Sequence, residues 1–77
     1  MKKYIKEDID IFMYNVKYLR EKNKLSLKEM SQNLDISVYY LRQIERGILP
    51  HRLGADIIYK IQKYFDISAY DLLDKKL

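Results

Sequence analysis

Residues 26–47 read SLKEMSQNLDISVYYLRQIERG, and this stretch decides the fold. Ser26 and Glu29 have the spacing of a capping box, in which the serine oxygen accepts a hydrogen bond from the first helical turn and the glutamate accepts one from the serine N–H. Ser37 begins a second helix in the same way, with apolar residues before and after it. Since helical spacing follows each cap, the stretch predicts two helices, over residues 27–34 and 38–46.

The link between these two helices is short, because only Asp35 and Ile36 stand before the Ser37 cap. So short a link forces the helices to cross steeply, as in a helix-turn-helix, and the small Ser31 lets them approach. Asp35 falls where a positive φ is expected, which aspartate tolerates better than most residues. Gly47 stands where the second helix should end in the same left-handed conformation.

The rest of the chain has the same helical character. Apolar side chains at three- and four-residue steps predict a helix over residues 7–22 and another that begins at residue 54 or 55. A third serine cap, Ser68, begins the last helix, over residues 69–75. We therefore predict an all-α fold of five helices around one core, forming a single domain over residues 1–77.

Composition excludes several classes of protein. The chain has 77 residues, no cysteine and one histidine, so disulfides and thiolate metal sites are excluded and a zinc site is disfavoured. No residues have the arrangement of a nucleophile with its base, and no glycine-rich phosphate loop is present. We predict no enzyme activity, no cofactor and no metal. Without a long apolar run or a signal segment, we expect a cytoplasmic protein that does not enter membranes and has no second, ligand-sensing domain.

The charge is basic, with a net value of +4 and a sequence pI of about 9.3. This balance suits nucleic acid, but it also suits an ordinary lysine-rich surface. Residues 55–77 carry equal numbers of basic and acidic side chains. Any basic face must therefore come from the first two thirds of the chain.

A helical wheel separates two faces of the predicted helix over residues 38–46. Leu41, Ile44 and Ile48 fall on the side that should face the core. The opposite side carries no acid, and its members and flanks are Val38, Tyr39, Tyr40, Arg42, Gln43 and Arg46. In a major groove, arginine pairs with guanine, glutamine pairs with adenine, and apolar groups contact thymine methyls. An ordinary solvated basic face is the alternative.

The stretch from Val16 to Leu73 resembles the lambda-repressor-like (XRE, or Cro/CI-type) helix-turn-helix family, with Ile44-Glu45-Arg46-Gly47 as its most specific segment. The resemblance implies a five-helix DNA-binding domain whose recognition helix covers residues 38–46. It implies base contacts at Val38, Tyr39, Arg42 and Gln43, with Tyr40 nearby. It implies phosphate contacts at Ser26, Lys28 and Arg46, and at His51 and Arg52 in the following loop.

The resemblance also pairs Arg20 with Glu45, and the wheel places each at the border of an apolar stripe. The pair either only joins two helices or also lets Arg20 contact phosphate, which we favour because arginine has spare donors. Three features depart from the family pattern. Asp35 replaces the usual turn glycine, Leu27 replaces a polar residue near phosphate, and the loop over residues 47–54 is long.

We therefore predict a sequence-specific DNA-binding transcriptional regulator, more often a repressor than an activator. A homodimer on double-stranded DNA is expected, with Leu73 and Leu77 in a two-fold contact. The alternative is a protein-interaction module, such as an antitoxin or a regulatory subunit that keeps the fold. Its partner would bind side chains expected to point away from the core, namely Ile11, Tyr14, Tyr18, Tyr59 and Tyr64.

Overall fold

A computed structural model describes residues 6–50 and 53–77. Within these ranges all regular secondary structure is helical, which confirms the all-α fold class. The proposed phosphate contacts at His51 and Arg52 lie outside the described residues. The helices are α1 Lys6–Lys22, α2 Leu27–Leu34, α3 Val38–Glu45, α4 Ala55–Phe65 and α5 Ala69–Asp74.

Serine caps begin three of the helices, as the sequence predicts. The hydroxyl oxygens of Ser26, Ser37 and Ser68 each accept a 3.0 Å hydrogen bond from the N–H three residues further along. At α2 the capping box is complete, because the Ser26 N–H donates to Glu29 Oε1 at 2.9 Å. These bonds satisfy N–H groups that a helix start otherwise leaves to water.

A left-handed residue follows the end of α2 and another follows the end of α3. Asp35 has φ 56°, and the N–H of Ile36 donates to Ser31 O at 2.9 Å, so α2 stops within one residue and α3 follows directly. Gly47 has φ 74°, as predicted for that position. Lys24 and Asp66 are left-handed as well, which we did not predict, although Asp66 precedes Ile67 and Ser68 just as Asp35 precedes Ile36 and Ser37. Helices α3 and α5 each end one residue earlier than predicted, at Glu45 and Asp74.

The core lies where the helices converge on α1, which packs against both α3 and α5. The apolar side chains without exposed surface are Phe12, Val16, Met30, Leu41, Ile44, Ile61 and Leu72. Two predictions about burial were wrong. Ile48 is 41% exposed, because the left-handed Gly47 ends α3 and turns the chain away from the core. Leu73 is only 8% exposed, so it belongs to the core rather than to an outer contact.

The tyrosine surface is also smaller than the sequence predicts. Tyr18 is half-buried and packs against the core, and Ile11 is half-buried as well. Tyr14, Tyr59 and Tyr64 are exposed, as expected. Tyr18 lies in the wall of a cleft that also contains Glu45, at the end of α3.

One fully buried polar residue, Asn15, fixes the chain after α5. Its Nδ2 donates to Leu72 O at 2.8 Å and to Lys75 O at 3.1 Å. Its Oδ1 accepts from the N–H of Leu77 at 2.9 Å. A buried amide is stable only when its groups are hydrogen-bonded, and these three bonds satisfy Asn15. The same bonds hold residues 75–77 along α1.

Candidate nucleic-acid interface

The inner face of α3 is held firmly in the core. Leu41 and Ile44 have no exposed surface. Ser31, on α2 near the crossing, is buried, and its hydroxyl donates to Lys28 O at 2.9 Å. Its small side chain leaves room for α3, and its one hydroxyl is satisfied within α2. The two helices of the turn therefore form a rigid unit, and the direction of every outward side chain of α3 follows from it.

The outward face of α3 is open to solvent. Tyr39 is 68% exposed, Arg42 and Arg46 are exposed, and Gln43 is half-buried. Among the described residues this face carries two arginines, one amide and one phenol, and no carboxylate. The face therefore offers hydrogen-bond donors and positive charge to whatever lies against it.

The flanks of this face differ from its centre. Val38 is half-buried, and so is Tyr40, whose ring packs against the core. Burial raises the pKa of the Tyr40 hydroxyl, and the nearby Asp56 carboxylate raises it further. Tyr40 is therefore a neutral phenol at the edge of the face, turned towards the start of α4, while Tyr39 stands on the open side.

A hydrogen bond joins two side chains on the open face. Gln43 Nε2 donates to Tyr39 Oη at 2.6 Å. The two residues are one helical turn apart, the spacing at which side chains on a helix surface meet. The bond fixes the orientation of the half-buried Gln43 amide. The sequence predicts that both residues lie on this face, but it does not predict the contact between them.

The N-terminus of α2 holds the candidate phosphate contacts Ser26 and Lys28, which are both exposed. The capping box already occupies this helix end with the Glu29 carboxylate. Hydrogen bonds from the backbone and side chain of Ser26 lower the pKa of that carboxyl. A second anion at this end therefore meets a negative charge, which the neighbouring Lys28 ammonium offsets.

Arg20 and Glu45 lie side by side at the C-terminal ends of α1 and α3. Arg20 Nε and Nη2 donate to the two carboxylate oxygens at 2.6 and 2.9 Å. Arg20 Nη1 also donates to Leu25 O at 2.8 Å. The hydrogen bonds that Arg20 donates to Glu45 raise the pKa of Arg20 above its already high value. Since guanidinium carries five N–H donors, two of them are not used by these contacts.

Two surface clefts lie outside the open face of α3. One, of about 430 Å³, lies between the C-terminal end of α2 and α4, where Asn33 Nδ2 donates to Tyr64 Oη at 2.7 Å. The other, of about 310 Å³, lies between α1 and the end of α3, with Tyr14 and Tyr18 in its wall. The part of the chain that the structure describes holds no group of three or more residues suited to a metal ion.

A family model described as a helix-turn-helix domain matches residues 13–77. The chain belongs to this helix-turn-helix domain family. The family is typical of XRE-like, lambda-repressor-like regulators, as the sequence motifs indicate. Within this domain α3 is the second helix of the helix-turn-helix motif.

Comparison with curated proteins found no match, and comparison with solved structures found none either. Among the described helices, none is both long enough and apolar enough to cross a bilayer.

Proposed function

We propose that this protein is a sequence-specific DNA-binding transcriptional regulator that reads the major groove with α3. The observation that carries the proposal is the open, acid-free face of α3, set on a helix whose inner face is fully buried in a helix-turn-helix domain. A rigid helix with outward donors suits a groove that admits one helix. We further propose that the protein is a cytoplasmic repressor. Repression is favoured because a protein that occupies an operator blocks transcription without any additional contact.

Base readout is assigned to the open face and its flanks. Arg42 is exposed and can donate two parallel hydrogen bonds to guanine, while Gln43 suits adenine. Val38, Tyr39 and Tyr40 supply apolar surface for thymine methyls. Tyr40 does so only with the ring edge that its packing against the core leaves accessible.

Phosphate contacts are assigned to the rim of the same surface. Lys28 and Arg46 are exposed and carry the positive charge, and the Ser26 hydroxyl can donate while its oxygen caps α2. The spare donors of Arg20 make it a further candidate. His51 and Arg52 stay predictions from the sequence.

We propose that two copies bind a two-fold site, with their recognition helices about 34 Å apart. Exposed Tyr70 and Leu77 support a contact through the α5 end of the domain. Leu73 no longer does, because it is buried. A palindromic consensus would support the dimer, and a single undivided half-site would contradict it.

Selection of binding sites from random duplexes tests the function, followed by titration of the selected duplex against salt. We expect a defined consensus and an affinity that falls with salt at a log–log slope of about −0.9 per neutralised phosphate. Absence of both a consensus and a salt dependence would overturn the proposal.

A second candidate function, a protein-interaction module, is favoured by the cleft of about 310 Å³ beside Tyr14. Tyr14 is exposed, although Lys76 Nζ lies 4.9 Å from the centre of its ring. The two functions predict different results when the wild-type protein and Tyr14→Ala are tested for duplex binding. DNA binding predicts that Tyr14→Ala leaves affinity for the selected duplex unchanged, whereas the interaction module predicts that wild-type protein selects no duplex.

A further inference from the structure

We propose that the Tyr39 hydroxyl makes Gln43 select adenine over guanine in the major groove. The inference rests on the proposed function, and it assigns Tyr39 a positioning role that differs from direct contact with a base. It is carried by the 2.6 Å hydrogen bond from Gln43 Nε2 to Tyr39 Oη on the open face of α3.

The side-chain amide of Gln43 has two N–H donors and one carbonyl acceptor. The bond to Tyr39 uses one of the donors. What remains for a base is one N–H and one carbonyl oxygen. Tyr39 thereby turns an adaptable amide into a group with one donor and one acceptor.

This remainder matches one purine and mismatches the other. In the major groove adenine presents N7 as an acceptor and N6–H as a donor, so both remaining groups of Gln43 find partners. Guanine presents two acceptors, N7 and O6. Against guanine, the Gln43 carbonyl oxygen would face O6, and O6 would lack a donor. Without the Tyr39 hydroxyl, the amide could turn both N–H groups towards guanine.

The surroundings allow the pair to act in this way. Tyr39 is 68% exposed, so loss of its hydroxyl leaves no buried group without a partner. The two residues belong to one helix whose inner face is buried, so docking of α3 moves them together. The Tyr39 hydroxyl keeps its own proton, which can be donated to a phosphate.

The experiment is selection from random duplexes with wild-type protein, Gln43→Ala, Gln43→Glu and Tyr39→Phe. Tyr59→Phe, which removes another exposed hydroxyl on a different helix, is the matched control. Gln43→Ala identifies the position that Gln43 reads, and Gln43→Glu should move that position towards cytosine, because a carboxylate only accepts. Tyr39→Phe should reduce the adenine-to-guanine preference there by roughly tenfold, as expected for one lost hydrogen bond, and leave the other positions unchanged.

Three outcomes overturn the inference alone: a Tyr39→Phe profile equal to wild type, a Gln43-dependent position that is not adenine, or an adenine preference that is lost equally in Tyr59→Phe. A wild-type protein that selects no consensus overturns the proposed function together with the inference.

Discussion

Arg20 and Glu45, 25 residues apart in the chain, are joined by two parallel hydrogen bonds that fix the end of α3 to the end of α1. Their side chains keep only 16% and 7% of their surface exposed. The same arginine also holds Leu25 O, in the turn that leads into α2. One guanidinium thus sets the position of both helices of the turn relative to α1.

Loss of one partner should therefore destabilise the domain. A fully buried pair costs about 3–5 kcal/mol when one partner is removed, and we expect Glu45→Ala to fall at the lower end of that range because the pair keeps some exposure. Urea unfolding measures it, with Arg46→Ala as the control for loss of an exposed neighbouring charge. If Glu45→Ala were as stable as the control, the pair would not be holding α3.

Loss of the buried Asn15 amide should also destabilise the domain. Asn15→Ala removes three hydrogen bonds, leaves Leu72 O without a side-chain donor, and should lower the free energy of unfolding by about 2–3 kcal/mol. Asn23→Ala is the matched control, because Asn23 is exposed and its side chain makes a single hydrogen bond, to Leu19 O. Equal losses in the two variants would contradict a special role for the buried amide.

The capping box of α2 should give a stability that depends on pH. The pKa of Glu29 is lowered in the folded state from its ordinary value of 4.5. Its stabilising contribution is therefore complete above the unfolded-state pKa and is lost as the pH falls through the lowered folded-state pKa. Wild type should be more stable than Glu29→Gln at neutral pH, and the two unfolding curves should converge in strong acid. A difference that stays constant with pH would contradict this.

Loss of Arg46 and loss of Arg42 should change DNA binding in different ways. Arg46→Ala should weaken binding to all duplexes alike and lower the salt slope by about one unit, as expected for a lost phosphate contact. Arg42→Ala should weaken the selected duplex by about 1–3 kcal/mol more than an unrelated one. Fluorescence anisotropy at several salt concentrations separates the two effects. Identical behaviour of both variants would contradict the division between base and phosphate contacts.

The helix starts were predictable because their signals are local. A serine cap and its partner lie within four residues of each other, so Ser26, Ser37 and Ser68 could be read from the sequence. The left-handed Asp35 was likewise predictable because it lies in the short link before Ser37, and Gly47 because glycine commonly ends a helix in this conformation.

Burial that depends on distant parts of the chain was not predictable in this way. A helical wheel continues α3 through Ile48, although Gly47 redirects the chain before it. Asn15 has a polar side chain, which the sequence alone would place at the surface. It is a core residue only because α5 packs back against α1 and supplies Leu72 O as its partner. The outward face of α3 was predictable as a set of residues, because a wheel gives directions. The Gln43–Tyr39 hydrogen bond has the one-turn spacing of a helix pair, but its formation depends on the rotamers of both side chains.

Base readout by α3 is tested most directly by comparing the binding of two matched double variants to the selected duplex and to a scrambled one. Arg42→Ala/Gln43→Ala removes one cation and one amide from α3. Lys63→Ala/Gln62→Ala likewise removes one cation and one amide, but from α4. These residues are next to Tyr64, whose hydroxyl accepts a hydrogen bond from Asn33 near the C-terminal end of α2, away from the capped N-terminus of α2. We expect the α3 variant to bind both duplexes with equal, weak affinity and the α4 variant to discriminate like wild type. An α3 variant that still prefers the selected duplex as strongly as wild type would contradict base readout by α3.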